Sequence, residues 1–373
     1  MEIPRIEFNQ PAVVILGAGV TRGASFVRDL PGTLPPLDTD FFTQAQRLST
    51  AKPKSLVADL VRNAVKTFGT NFSLSMEGFF TQIEHLSHVF EDYRFRGRPK
   101  RNPYPGVRQQ FLQVLAALLD EAVGRAPNCE YHAKLVRALS PRDTILSFNY
   151  DWLIDVSVRD HGEGKWNPRI GYGVRTYQKS VLGQGTAYWA SERKPYPRRS
   201  ITLLKMHGSM NWFPVPTQDA GRRLRLRQRW WHQKGNLQFE IAPPEWNKPI
   251  RSGIYQKVWR RARAALKTAK ALLFIGYSLP ATDLPAQALL RVDVGLKPRA
   301  APPLDLLVLV NPDHAARSRI RAVLSGRIDS STRVLTFDRL ENFAAFLGAG
   351  GGTSAADDRG VPRPISGGKG RAL

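Results

Sequence analysis

His207 and Asn149 are the side chains of this sequence best suited to reaction chemistry. His207 ends the run Leu203-Leu204-Lys205-Met206-His207-Gly208, and Asn149 follows Ile145-Leu146-Ser147-Phe148, with Asp151 two positions on. An imidazole titrates near neutrality and can take a proton from water or from a sugar hydroxyl. A carboxamide can both donate and accept hydrogen bonds to a polar ligand group. Other groups suit ligand binding. Gly17, Ala18, Gly19 and Thr21 follow Val13-Val14-Ile15-Leu16; Gly276 and Ser278 follow Leu272-Leu273-Phe274-Ile275; Asn311 follows Leu306-Leu307-Val308-Leu309-Val310. A weaker run of the same kind is Val334-Leu335-Thr336-Phe337-Asp338.

These short, unbroken apolar runs read as strands buried on both faces, the mark of a parallel sheet. In an open parallel sheet, ligands bind beyond the carboxyl ends of the strands. The loaded residues then converge on one crevice, which suits an enzyme acting on a dinucleotide. The expected fold is α/β, a Rossmann-like, mainly parallel sheet of about six strands flanked by helices, with a helical insertion after the first strand.

Taken singly, each group has a plainer reading. Gly17-Ala18-Gly19-Val20-Thr21-Arg22-Gly23 is spaced GxGxxxG, not GxGxxG. Asn149 or Asp151 would cap a helix from Trp152 to Val158. A lone His207 would be a structural imidazole. Gly276-Tyr277-Ser278-Leu279-Pro280 and Asn311-Pro312 are ordinary turn chemistry.

The catalytic domain is expected over residues 1–348. A helical insertion over about 35–140 shows apolar stripes at Leu56 to Val65, Phe79 to Phe90 and Phe111 to Leu119. Residues of about 160–250 read as loops followed by a hairpin excursion, rich in Gly, Trp and Tyr and then in Arg. Residues 349–373 hold almost no large apolar side chains and are expected to be disordered.

The chain has 373 residues and is 42% apolar, enough for one large domain with an insertion. No apolar run is long enough to span a bilayer, and Met1-Glu2-Ile3-Pro4-Arg5 lacks a signal-peptide core, so a cytoplasmic protein with no membrane contact is expected. Cys129 is the single cysteine, which excludes an intrachain disulfide and a thiolate zinc cluster. No metal is expected. The net charge of +24 attracts polyanions, so nucleic-acid contact through a basic surface stays open beside simple steering of a phosphorylated ligand. Arg223, Arg225, Arg227 and Arg229 alternate with Leu224, Leu226 and Gln228. That pattern makes a strand with one basic face, either a solvated hairpin packing two Leu inward or a grip on a nucleic acid or partner.

In order, the motifs resemble the sirtuin superfamily: Gly17-Ala18-Gly19-Val20-Thr21, Asn149-Tyr150-Asp151, His207-Gly208, Gly276-Tyr277-Ser278 and Asn311. The chain is similar, more closely, to the bacterial sirtuin-like NAD-hydrolase domains of anti-phage defence. That likeness rests on Phe148-Asn149-Tyr150-Asp151, Lys205-Met206-His207-Gly208-Ser209 and Ile275-Gly276-Tyr277-Ser278-Leu279-Pro280-Ala281-Thr282-Asp283. Pro243-Pro244-Glu245-Trp246-Asn247-Lys248 is similar to a further segment of those domains, and the resemblance spans about residues 11–347.

It implies NAD as substrate and cleavage of the nicotinamide–ribose bond, with Asn149 and His207 catalytic. Gly17, Ala18, Gly19, Thr21, Asp151, Gly276, Ser278 and Asn311 would bind the dinucleotide. It also implies a homo-oligomer, a separately encoded defence partner such as a translocase ATPase, or both. Two departures separate the chain from deacylating sirtuins. One cysteine cannot build their zinc module, and Thr21-Arg22-Gly23-Ala24-Ser25 leaves open which hydroxyl meets the ligand. ADP-ribosyl transfer and zinc-free deacylation remain alternatives, as does a non-enzymatic nucleotide-sensing or nucleic-acid-associated subunit.

Overall fold

A computed structural model describes residues 11–30, 32–49, 51–70, 72–73, 75–90, 94–95, 98–99, 102–124, 128–176, 181–184, 189–191, 194–216, 222–226, 240–242, 253–281, 283–291, 301–348 and 356–357. Six parallel strands form its centre: β1 (Ala12–Leu16), β2 (Thr144–Ser147), β3 (Thr202–Lys205), β4 (Ala271–Ile275), β5 (Leu306–Val310) and β6 (Arg333–Phe337). Their order across the sheet is β3-β2-β1-β4-β5-β6. This is the doubly wound order of dinucleotide-binding sheets. From β1 the chain builds outward through β2 and β3, then returns to β4 and builds the other way. The strand order therefore reverses between β1 and β4, and a crevice opens at their carboxyl ends.

The strands form where the sequence is apolar on both faces. Every residue of β1 and β4 is buried. At the edge, β6 runs exposed, half-buried, buried, half-buried, buried, as a strand with one partly wet face should. Ala356–Asp357 adds a short antiparallel pairing to β6; the rest of the expected disordered tail lies outside the described residues.

Parallel strands need crossovers, and helices supply them. Between β1 and β2 come α1 (Ala18–Arg22), α2 (Phe41–Gln46), α3 (Ala51–Phe68), α4 (Met76–Val89), α5 (Tyr104–Val123) and α6 (Glu130–Ala138). The apolar stripes of α4 and α5 meet through an aromatic cluster in which Phe111 touches Phe41, Phe79 and Phe80. Ser75 starts α4 by accepting the Gly78 amide. After β2 comes α7 (Leu153–His161); later α8 (Gly253–Thr268), α9 (Leu284–Leu290), α10 (His314–Val323) and α11 (Leu340–Gly348) alternate with the remaining strands. The buried Arg327 guanidinium closes the carboxyl end of α8 through Leu266 O and Ala269 O.

Trp212–Pro216 pairs antiparallel with Arg222–Leu226. Leu224 and Leu226 are buried there. Arg227, Arg229 and the Pro243–Lys248 segment lie outside the described residues. Among the described residues no helix is long and apolar enough to cross a membrane.

Candidate functional site

A cavity of about 1010 Å³ opens at the point where the strand order reverses. All ten residues singled out from the sequence line it: Gly17, Ala18, Gly19 and Thr21 beyond β1, Asn149 and Asp151 beyond β2, His207 beyond β3, Gly276 and Ser278 beyond β4, and Asn311 beyond β5.

The glycines are required by the packing of the two turns. Gly276 has φ +62°, and a Cβ there would lie 2.1 Å from the Val20 amide nitrogen. A Cβ on Gly19 would lie 2.8 Å from Gly276 Cα, and one on Gly17 2.6 Å from Tyr277 Cα. The β1 and β4 turns thus pack backbone on backbone, which only glycine permits. Their amides are used in the same contact: Gly17 N donates to Ile275 O at 3.2 Å, and Gly19 N to Gly276 O at 2.9 Å. These two amides therefore join the β1 and β4 turns.

Across from this contact lies a buried polar chain. The Thr21 hydroxyl donates to Asp151 Oδ2 at 2.8 Å. Asn149 Nδ2 donates to the same hydroxyl oxygen at 3.0 Å. Asp151 Oδ1 accepts the Leu153 amide at 2.9 Å, at the entry to α7. The directions in this chain are forced. A carboxylate only accepts, so Thr21 must donate to it, and the Thr21 oxygen is left to accept from Asn149. The Asn149 amide therefore presents its oxygen elsewhere. That oxygen, Oδ1, is buried and accepts no hydrogen bond among the described residues.

Both hydroxyls after the glycine turn have protein partners. Thr21 is engaged by Asp151 and Asn149, and the Ser25 hydroxyl faces Cys129 Sγ and the Glu130 amide. The Cys129 thiol is subject to an upward push from burial, but contacts with His132 and Ser25 outweigh it and bring it down to about 6.

His207 is 6% exposed. Its ring meets Phe148 edge-on at 5.1 Å, while Phe148 stacks on Tyr277 at 4.4 Å. Its Nε2 stands 3.8 Å from Asp283 Oδ2. Asp283 also accepts the Tyr277 hydroxyl at 2.9 Å and caps α9 through the Ala286 amide. Burial, with Asp283 adding to it, holds the Tyr277 phenol well above its ordinary range, so it stays a neutral donor.

Asn311 faces inward: Nδ2 donates to Tyr277 O at 3.3 Å, and Oδ1 accepts the Asp313 amide at 2.9 Å. Ser278 is exposed, and its carbonyl accepts from the Arg319 guanidinium at 3.1 Å. Four further lining residues escaped the sequence reading as site residues: Tyr277, Asp283, Arg319 and Glu77, the last from the first turn of α4. Tyr277 and Asp283 belong to the Ile275–Asp283 motif, which was the available signal. Among the described residues, no group of three or more His, Cys, Asp or Glu side chains is placed to bind a metal ion.

Comparison with known proteins gives structural likeness without sequence likeness. No family model and no curated protein matches the chain. Solved structures similar to it include one from work on the mechanism and regulation of Sir2 enzymes, at 11% identity, TM-score 0.33, covering 92% of this chain and 93% of that one. A second is Sir2 bound to an inhibitor, 2′-O-acetyl-ADP-ribose and a deacetylated p53 peptide, at 12% identity, TM-score 0.35 and coverages of 92% and 95%. A third is a Sir2 homologue mutant bound to ADP-ribose, at 12% identity, TM-score 0.30 and 92% of each chain.

Proposed function

We propose that the chain is a sirtuin-type NAD glycohydrolase, releasing nicotinamide and ADP-ribose. One observation carries this reading: Asn149 holds a buried carboxamide oxygen with no partner among the described residues, on the wall of a cavity that His207 also lines. A buried acceptor left empty costs about 1–3 kcal/mol, so it marks a place where a ligand group belongs. An acceptor calls for a donor, and the donors at the reacting end of NAD are the ribose hydroxyls and the attacking water.

In this reading the C1′–N bond to nicotinamide breaks and its electron pair stays on the pyridine nitrogen. The ribose passes through an oxocarbenium-like state. Water adds to C1′, held by Asn149 Oδ1, and gives its proton to His207 and then to solvent. Thr21 and Asp151 act through Asn149, fixing the direction of its amide. Phe148 and Tyr277 form an apolar wall beside His207. The exposed guanidinium groups of Arg319 and Arg339 on the cavity lining offer charge for the pyrophosphate. No step calls for a metal. The resemblance in the motifs supports NAD depletion in anti-phage defence as the setting, with assembly into a homo-oligomer or with a separate partner.

The test is purified protein with NAD, following free nicotinamide, with and without an acylated peptide. Nicotinamide release without the peptide, unchanged after dialysis against a chelator, is the expected result. Release only with the peptide would replace hydrolysis by deacylation, and no release in either arm, alone or in its native assembly, would overturn the reading.

A further inference from the structure

Lys205 has no exposed surface, and it lies two residues before His207. Its ammonium donates to the carbonyl oxygen of Asp151 and, at 3.1 Å, to Asp155 Oδ2. Asp155 is equally enclosed, on the first turn of α7. Burial pushes its carboxyl above the ordinary range, and Lys205 pulls against that shift.

Stability gives little reason for such a pair. Burying two charges costs several kcal/mol, and well-packed apolar side chains often replace a buried pair without loss. Apolar side chains could hold β3 against α7 equally well. They could not donate to the Asp151 carbonyl. That carbonyl belongs to the residue whose carboxylate orients Thr21 and hence Asn149.

Further bonds join the same two segments. Met206 N donates to Ser147 O at 2.8 Å, Met210 N to Tyr150 O at 2.9 Å, and the Ser209 hydroxyl to Tyr150 O at 3.3 Å. The strand end that carries His207 is therefore tied, before and after the imidazole, to the strand end that carries Asn149.

We infer that the Lys205–Asp155 pair is a positioning device that sets Asn149 and Asp151 in register with His207; this rests on the NAD-cleavage reading above. The pair touches no substrate and acts through the Asp151 carbonyl. Asp155 aims the ammonium, and the ammonium holds the turn.

The experiment compares Lys205→Met, Asp155→Val and the double variant with wild type. Each is measured for melting temperature, for kcat and KM with NAD, and for affinity toward ADP and NAD. Each single variant strands one buried charge and should melt well below wild type. The double variant strands none and should regain most of the melting temperature. It should bind ADP as wild type does, and its kcat should stay about 10–100-fold down with KM little changed, the usual cost of removing a group that orients a reacting residue. NAD should also bind with close to wild-type affinity, a readout that needs no turnover. A folded double variant with wild-type kcat would overturn the proposal. So would a double variant that cannot fold, because the pair would then serve stability. Failure of the NAD reading itself shows separately, in a wild-type chain that neither binds nor cleaves NAD.

Discussion

The two halves of the sheet offer different chemistry to one cavity. Beyond β1, β2 and β3 stand Thr21, Asn149, Asp151 and His207, all buried, three of them hydrogen-bonded in a chain. Beyond β4, β5 and β6 stand a glycine turn, an exposed Ser278, an Asn311 bonded to backbone, and the guanidinium of Arg319. The first half has what a reacting bond needs: dry polar groups fixed before the ligand arrives. The second half has what a phosphate needs, charge and room, and tolerates water. The contact of Gly276 with Gly19 and Val20 is where the halves meet.

That division can be attacked in steps, the largest effect first. Gly276→Val should damage both halves together. Its Cβ meets backbone, and its φ is left-handed, so a loss of at least about 2 kcal/mol is expected, with NAD binding abolished. Calorimetric melting and NAD titration check it, and a variant with wild-type stability and binding would show that the halves do not depend on this contact.

Next, His207→Ala should lower nicotinamide release at least ~100-fold, the scale of a general base. Asn149→Ala should lose comparably while part of the NAD affinity survives in the other half. The control is melting temperature, since a buried imidazole also packs. If His207→Ala folds normally and turns over at the wild-type rate, the reacting end has been misplaced.

Thr21→Val keeps the shape and removes the hydroxyl that directs the Asn149 amide. A fall of ~10-fold in kcat with little change in KM is expected. Equal falls in affinity and turnover would instead make Thr21 a direct ligand group. The smallest effect should come from Arg319→Ala. The side chain is exposed, so NAD affinity should weaken only ~2–5-fold, more at low salt than at high, with kcat unchanged. A kcat effect there would blur the two halves into one.

The sheet was legible because its strands are buried on both faces and so read as unbroken apolar runs; β1, β2 and β4 stand out on this ground alone. The long helices showed through their apolar spacing. Leu182–Gly183 and Ala190–Ser191, a short parallel pair, carry no such pattern and were invisible. The site was legible where chemistry sits at a strand end. It was hidden where tertiary packing delivers the residue. Asp283 reads locally as a helix cap, which it is, and its approach to His207 depends on strands far apart in sequence. Glu77 sits in a helix whose stripe speaks only of packing. The partners of Thr21 were equally hidden, because a hydroxyl after a glycine turn does not announce what it will bond.

The Gly19–Gly276 contact also bears on synthesis. Those two residues are separated by most of the chain, yet they meet backbone to backbone on the cavity lining. A nascent polypeptide that has just released Asn149 and His207 from the ribosome has both side chains but no vessel to put them in. Contacts of such long sequence separation form late in folding. On the NAD-cleavage reading proposed above, activity would thus arrive only after β4 has threaded in beside β1, and a prematurely terminated product would be harmless to its host's nucleotide pool.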